Sequence, residues 1–173
     1  MKKFNLIVII AISLLGVTSC QNEAKKKSAA LKNDLASNFV KDGIKTGNLE
    51  INASKLVAAN STNQRVISFA KMLIADQTGI NSDLMKLTGT YHVVLPDTAD
   101  IMDKMFIDSL KVRSGAAFDK AYIQQIDSLR REDSLNYDIG RWGSPDAGKI
   151  AVKGLAKIVR QLDSTKAIKK SLH

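Results

Sequence analysis

The sequence predicts an all-α protein, organised as a four-helix bundle with one short additional connecting helix. Helix formers such as alanine, leucine and lysine outnumber strand formers, and the chain has just two prolines. Over several long segments, apolar side chains recur at alternating steps of three and four residues, which is the period of a helix with one buried face. With 173 residues, 45% of them hydrophobic, the chain has the size and composition of one globular domain.

The first nineteen residues have the pattern of an export signal. A basic start at Lys2 and Lys3 is followed by an apolar run over residues 6–15 and then by small residues. A helix needs about 20 apolar residues to cross the hydrocarbon layer, so this run is short for a membrane span. We therefore expect the segment to be cleaved rather than kept as an anchor.

The end of this signal, Val17-Thr18-Ser19-Cys20, resembles the bacterial lipobox, in which a cysteine is lipidated before cleavage. The alternative is an ordinary cleavage site with an accidental cysteine. Cys20 is the only cysteine, so the body of the protein has no thiol for a disulfide, a metal cluster or catalysis. Gln21 is not the aspartate that retains some lipoproteins at the inner membrane, which favours the outer membrane, facing the periplasm.

These features divide the chain into three parts. Residues 1–19 are the signal peptide, residues 20–33 are the lipidated cysteine with a flexible linker, and residues 34–170 are the helical bundle domain. The bundle begins with a helix that the polar run at residues 60–63 interrupts. The clearest apolar stripe follows on a second helix, where Gln77 is the only polar member.

The second half of the bundle begins after a connection at residues 89–96. Asp97 is expected to cap a short helix, and a longer helix is expected over residues 116–142. Gly143-Ser144-Pro145 ends that helix, and the last helix begins near Asp146. The apolar or small positions expected to face the core are Val40, Ile44, Gly47, Ile51, Ala58, Val66, Phe69, Leu73, Ile80, Leu84, Leu87, Ile101, Met105, Leu110, Phe118, Tyr122, Ile126, Leu129, Tyr137, Leu155, Ile158, Leu162 and Ile168.

The charge of the chain is moderately basic. Of 26 basic residues two belong to the signal, and against 17 acidic residues the remainder leaves a charge of +7. A basic balance can favour nucleic acid, but the sequence has no arginine-rich run interleaved with aromatics. We expect no nucleic-acid partner, and instead a membrane, reached through the N-terminal lipid, and an unidentified envelope protein.

Several segments carry a family resemblance. Phe39-Val40, Gly47-Asn48-Leu49-Glu50, Phe69-Ala70-Lys71-Met72, Asp76 and the run from Ser114 to Tyr122 resemble the ferritin-like helical family of predicted bacterial outer-membrane proteins of unknown function. The resemblance covers residues 34–168 and implies a ferritin-like bundle.

The resemblance also implies a set of former ligand positions. Members of that family usually carry three histidines at places that here hold Gln77, Arg130 and Gln161, whereas Glu50 and Asp76 match the family's acids. An amide is a poor ligand for a transition metal, and a guanidinium repels a cation. The departures imply that metal binding has been lost.

Residue counts lead to the same expectation of no metal and no cofactor. A di-iron bundle site needs about four inward carboxylates and two histidines. His92 lies in the predicted connection and His173 is the last residue, so neither is on a core stripe, and neither is placed to assist a nucleophile. We therefore predict no catalytic residues. The charged run at residues 127–133 is expected to be a solvated helix face.

Two interpretations of Gln77 are open at this point. It either reaches solvent from the edge of its stripe, or it hydrogen-bonds Glu50, Arg130 or Gln161 across the bundle. In the second case Glu50 and Arg130 would form a charge pair in the former metal cavity.

The sequence thus favours a non-enzymatic envelope lipoprotein with an interaction or structural role. The alternative is a metal-handling or stress-linked ferritin-like periplasmic protein.

Overall fold

The computed structural model describes residues 2–96 and 100–172, with side chains from residue 22 onward. The side chains of the predicted signal peptide and of Cys20 therefore lie outside the part of the chain that the structure describes. The elements are α1 (Lys2–Lys55), α2 (Val57–Asn60), α3 (Gln64–Met85), α4 (Ile101–Lys111), α5 (Gly115–Gly140) and α6 (Pro145–Lys169). The all-α class is confirmed. Among the described residues, no helix combines the length and the apolarity that crossing a membrane requires.

The first helix differs from the flexible linker predicted for residues 20–33. α1 continues through this segment into the bundle without interruption. Its alanines and lysines are good helix formers, which outweighs the lack of an apolar stripe. Every side chain from residue 22 to residue 34 is exposed, so this part of α1 projects beyond the packed core. From residue 36 onward the helix has a buried face, formed by Ala36, Phe39, Val40, Gly43, Ile44, Gly47, Glu50, Ala53 and Ser54.

The predicted break and the second stripe are both present. α1 ends at Lys55, and after the short α2 the side chain of Asn63 caps α3 by accepting from the backbone N–H of Arg65 at 3.0 Å. Ala58, which was expected to face the core, is exposed, and Val57 is the buried residue of α2 instead. The stripe on α3 is confirmed by the burial of Val66, Phe69, Leu73, Gln77, Ile80 and Leu84.

The connecting helix α4 differs from the prediction in its cap and in its buried face. Asp100 is the N-cap, and its side chain accepts from the backbone N–H of Asp103 at 2.8 Å. Asp97 lies outside the described residues. Leu110 is buried as predicted, but Ile101 and Met105 are 75% and 60% exposed. The reason is that α4 packs through the face that contains Leu110, at its C-terminal end, and leaves the opposite face uncovered.

The long helices pack as a bundle. α1 lies against α3 and α5, and α6 lies against the same two helices. Gly154 permits the closest approach of α5 and α6, because a Cβ there would collide with the ring of Tyr137. The core has two apolar clusters along the bundle axis. One contains Ala53, Val57, Val66, Phe69, Ala70, Leu73, Leu110, Phe118, Tyr122, Ile123, Ile126 and Ile168. The other contains Ala36, Phe39, Val40, Ile44, Ile80, Leu84, Tyr137, Ala147, Ala151 and Ile158.

Candidate functional site

A polar layer separates the two apolar clusters. Each long helix supplies one residue from between its contributions to the two clusters: Glu50 on α1, Gln77 on α3, Arg130 on α5 and Gln161 on α6. None of the four is more than 1% exposed. On α3, for example, Gln77 stands between Leu73 and Ile80 in the same helical register. The structure thus brings these four residues together, and it rules out the interpretation in which Gln77 reaches solvent.

The guanidinium of Arg130 is the centre of this layer. Its Nη2 donates to Oε2 of Glu50 and to Oδ2 of Asp133, and its Nη1 donates to Oε1 of Gln161 at 3.2 Å. Nε2 of Gln77 donates to the same Oε2 of Glu50 at 2.8 Å. Side chains from four helices are therefore joined through one buried cation.

The network continues to the surface between α3 and α6. Nε2 of Gln161 donates to Oδ2 of Asp76 at 3.0 Å, and Nζ of Lys157 donates to Oδ1 of Asp76 at 2.5 Å. The side chain of Asp76 is 18% exposed and that of Lys157 is 21% exposed. Asp76 therefore joins the other predicted positions, but at the rim of the layer rather than at its centre.

The charged run on α5 was predicted incorrectly as a solvated face. Asp127, Arg130 and Asp133 are buried, whereas Arg131 and Glu132 are exposed. The signal was present in the spacing, because steps of three place the buried members on the core-facing side of the helix. Asp133 is the principal site residue that the sequence reasoning missed.

Two carboxylates share one arginine in this layer. Burial raises the pKa of Glu50 from 4.5 to about 8, with the charge of Asp133 adding to the rise and that of Arg130 opposing it. Burial also raises the pKa of Asp133, to about 6, against the opposing charge of Arg130. Burial alone would lower the pKa of Arg130, but Glu50 and Asp133 outweigh it, so that pKa is raised. Both carboxyl groups are therefore harder to ionise than usual, and Arg130 is the group that favours their charged forms.

Some hydrogen-bonding capacity in the layer is unused. Glu50 Oε1, Gln77 Oε1 and Arg130 Nε are buried and have no hydrogen-bond partner among the described residues. A buried polar atom without a partner costs about 1–3 kcal/mol. The layer is thus not optimised for stability alone, as is common for buried ionic groups.

The polar layer contains no histidine among the residues that the structure describes. In the described part of the chain, no three histidine, cysteine, aspartate or glutamate side chains are grouped closely enough to hold a metal ion. His92 is exposed in the connection, with a φ of 51°. His173 lies outside the described residues.

The comparisons with known proteins identify a family without an assigned activity. A search of the curated proteins finds no significant match, and a search of the solved structures finds none either. A family profile, by contrast, matches residues 21–166, which is most of the chain and includes every residue of the polar layer. The chain belongs to the family described as a domain of unknown function, DUF4142.

Proposed function

We propose that the protein is an envelope lipoprotein whose helical bundle has a non-catalytic role in interaction or structural support. In this proposal the bundle is a ferritin-like four-helix bundle, and an ion-paired layer replaces a former histidine metal site. The observation that carries the proposal is the position of Arg130 between Glu50 and Asp133 at the centre of the bundle.

The arrangement of the helices supports the ferritin-like part of the proposal. Ferritin-like proteins build metal sites from inward-facing residues on all helices of a four-helix bundle. Here each of α1, α3, α5 and α6 supplies one inward polar residue at the same level, and α4 is the short additional helix between α3 and α5.

The chemistry of the layer supports a loss of metal binding. Arg130 contributes a permanent positive charge that repels a cation, and it occupies one oxygen of Glu50 and one of Asp133. Gln77 and Gln161 offer amide groups in place of imidazole, which is the better ligand for zinc or iron. These residues do not fit a transition-metal ion.

The burial of the layer supports a non-catalytic role. Glu50 has a raised pKa, which is common at active sites. A catalytic group must also contact a substrate, and Glu50 and Arg130 are 0% and 1% exposed. We therefore assign the layer to the specification of helix positions rather than to a reaction.

Lipid attachment rests on the lipobox at residues 17–20. The proposal places the acyl chains on Cys20, next to the exposed part of α1, in the periplasm-facing leaflet of the outer membrane. Replacement of Cys20 by alanine should abolish incorporation of radiolabelled palmitate and leave the protein in a soluble or an unprocessed form, because the acylation site is gone. The matched control adds Ser28→Cys to Cys20→Ala, and it should not restore labelling because the new cysteine follows no lipobox. Labelling or membrane retention of processed Cys20→Ala protein would contradict lipid attachment.

Elemental analysis tests the loss of metal binding separately. Native protein purified without chelators should contain less than stoichiometric iron, zinc and manganese. A stoichiometric metal that is lost when Glu50 is replaced by alanine would instead favour the metal-handling alternative.

A further inference from the structure

A groove runs between α1 and α4. Its volume is about 1040 Å³, and residues 94–96 of the connection complete its wall. Apolar side chains line its inner part: Ile44 is buried, and Leu95 and Ile107 are half-buried. The groove therefore combines an apolar floor with space for a ligand of substantial size.

Lysines dominate the rims of this groove. Lys41, Lys45 and Lys55 line it from α1, and Lys104 and Lys111 line it from α4. Three aspartates also line the groove, so five lysines against three aspartates leave a net charge of +2. Two of the five lysines are paired with them: Lys45 with Asp100 at 2.5 Å and with Asp103 at 3.9 Å, and Lys111 with Asp108 at 2.9 Å. Within the described residues, the other three have no ion-pair partner. The groove thus presents a net positive surface to a ligand.

The spacing of the lysines indicates what kind of anion would match them. Lys41 and Lys55 stand on one uninterrupted helix, and at 1.5 Å per residue they are about 21 Å apart along its axis. A single head group cannot contact both. An extended peptide of about six or seven residues spans that distance and can carry several acidic side chains.

The outer edge of α4 adds an apolar surface beside the groove. Ile101 and Met105 on α4 are 75% and 60% exposed, and Val94 in the wall of the groove is 82% exposed. Exposed apolar groups next to a charged rim are typical of protein interaction sites, and methionine adapts well to different partners.

We propose that this groove binds an acidic, amphipathic peptide segment of a partner protein. Acidic side chains of the segment pair with Lys41, Lys55 and Lys104, and its apolar side chains cover Leu95 and Ile107. The inference rests on the interaction role proposed above and names the chemistry of the partner.

The test selects ligands from a random peptide library. The full chain, purified in detergent, is immobilised and exposed to displayed peptides of about twelve residues, long enough to fill the groove. We expect enrichment of peptides that combine aspartate or glutamate with leucine, isoleucine or phenylalanine. Failure to enrich acidic peptides would overturn the proposal.

Matched variants then locate the binding site. The groove variant combines Lys41→Gln, Lys55→Gln and Lys104→Gln. The control replaces by glutamine three exposed lysines outside the groove: Lys71, Lys120 and Lys166. Loss of one exposed charge pair weakens binding about twofold, so the loss of three should raise the Kd of an enriched peptide about tenfold, and the control variant should raise it less than about twofold. Equal losses in the two variants would overturn the proposal, because they would show attraction to net charge alone.

Two other occupants of the groove, a lipid and a second copy of the chain, would give different experimental results. Binding of phosphatidylglycerol vesicles that the groove variant loses, without peptide binding, would assign the groove to lipid and overturn the proposal. Self-association that only the groove variant loses would assign it to a second copy, with the same consequence. These outcomes leave palmitate labelling at Cys20 unaffected, so failure of the groove proposal is distinguishable from failure of the lipoprotein proposal.

Discussion

Replacement of Arg130 by alanine should be among the most destabilising single changes in this protein. Arg130 donates to Glu50, Asp133 and Gln161, and two of these partners are carboxylates. A hydrogen bond to a charged group contributes about 1.5–3 kcal/mol, so two such bonds account for about 3–6 kcal/mol. Part is recovered because burial raises the pKa of Glu50, so that Glu50 can take up a proton once Arg130 is removed. We expect a net loss of about 3–5 kcal/mol, the usual cost of breaking a buried ion pair.

Urea denaturation followed by far-ultraviolet circular dichroism measures this loss. Arg160→Ala, which removes an exposed arginine from α6, is the matched control and should cost less than about 0.5 kcal/mol. The double variant Glu50→Gln with Arg130→Ala should lose less than the sum of the single losses, by about 1 kcal/mol or more, because the two side chains are in contact. A loss below about 1 kcal/mol for Arg130→Ala, or an additive double variant, would refute the reasoning.

Three further predictions concern the apolar core and the layer. Leu73→Ala should lower the free energy of unfolding by about 2–5 kcal/mol in the same assay, because it opens a cavity at a fully buried position. Since the folded pKa of Glu50, about 8, exceeds its ordinary 4.5, this group's contribution to stability is fully present below pH 4.5 and is lost as pH rises through about 8. Stability should therefore fall between pH 6 and 8, and an equal fall in Glu50→Gln would exclude this cause. Histidine at Gln77, Arg130 and Gln161 together should create a zinc site with Glu50, and calorimetry should detect binding that the parent lacks.

The helices of the bundle were predictable because burial of one face imposes its period on the sequence. The stripe on α3 needed no knowledge of its neighbours, and the break before Asn63 followed from local capping chemistry. The orientation of α4 was not predictable in the same way. Its sequence offers apolar residues on more than one side, and only the position of its neighbours decides that Leu110 is buried and Met105 is exposed.

The candidate site was predictable only in part. Glu50, Gln77, Arg130 and Gln161 were identified through the family resemblance, and their meeting depends on tertiary packing that periodicity does not encode. Asp133 was missed because a run of alternating charges on a helix usually faces solvent. The burial of Asp133 is explained by Arg130, because a buried guanidinium needs a buried carboxylate as its ion-pair partner.

Because α1 is one continuous helix, the length of its exposed part fixes how the bundle is rotated about the helix axis. A flexible linker would set only how far the domain can lie from residue 20. An α-helix also sets a rotation, because each residue turns the chain by about 100° and advances it by 1.5 Å. Inserting one residue within residues 22–33 would therefore swing the groove between α1 and α4 by about 100° around the helix axis. Inserting seven would lengthen the helix by about 10 Å and return the groove to within about 20° of its original direction. The number of residues in this segment thus determines which side of the bundle the groove presents to its surroundings.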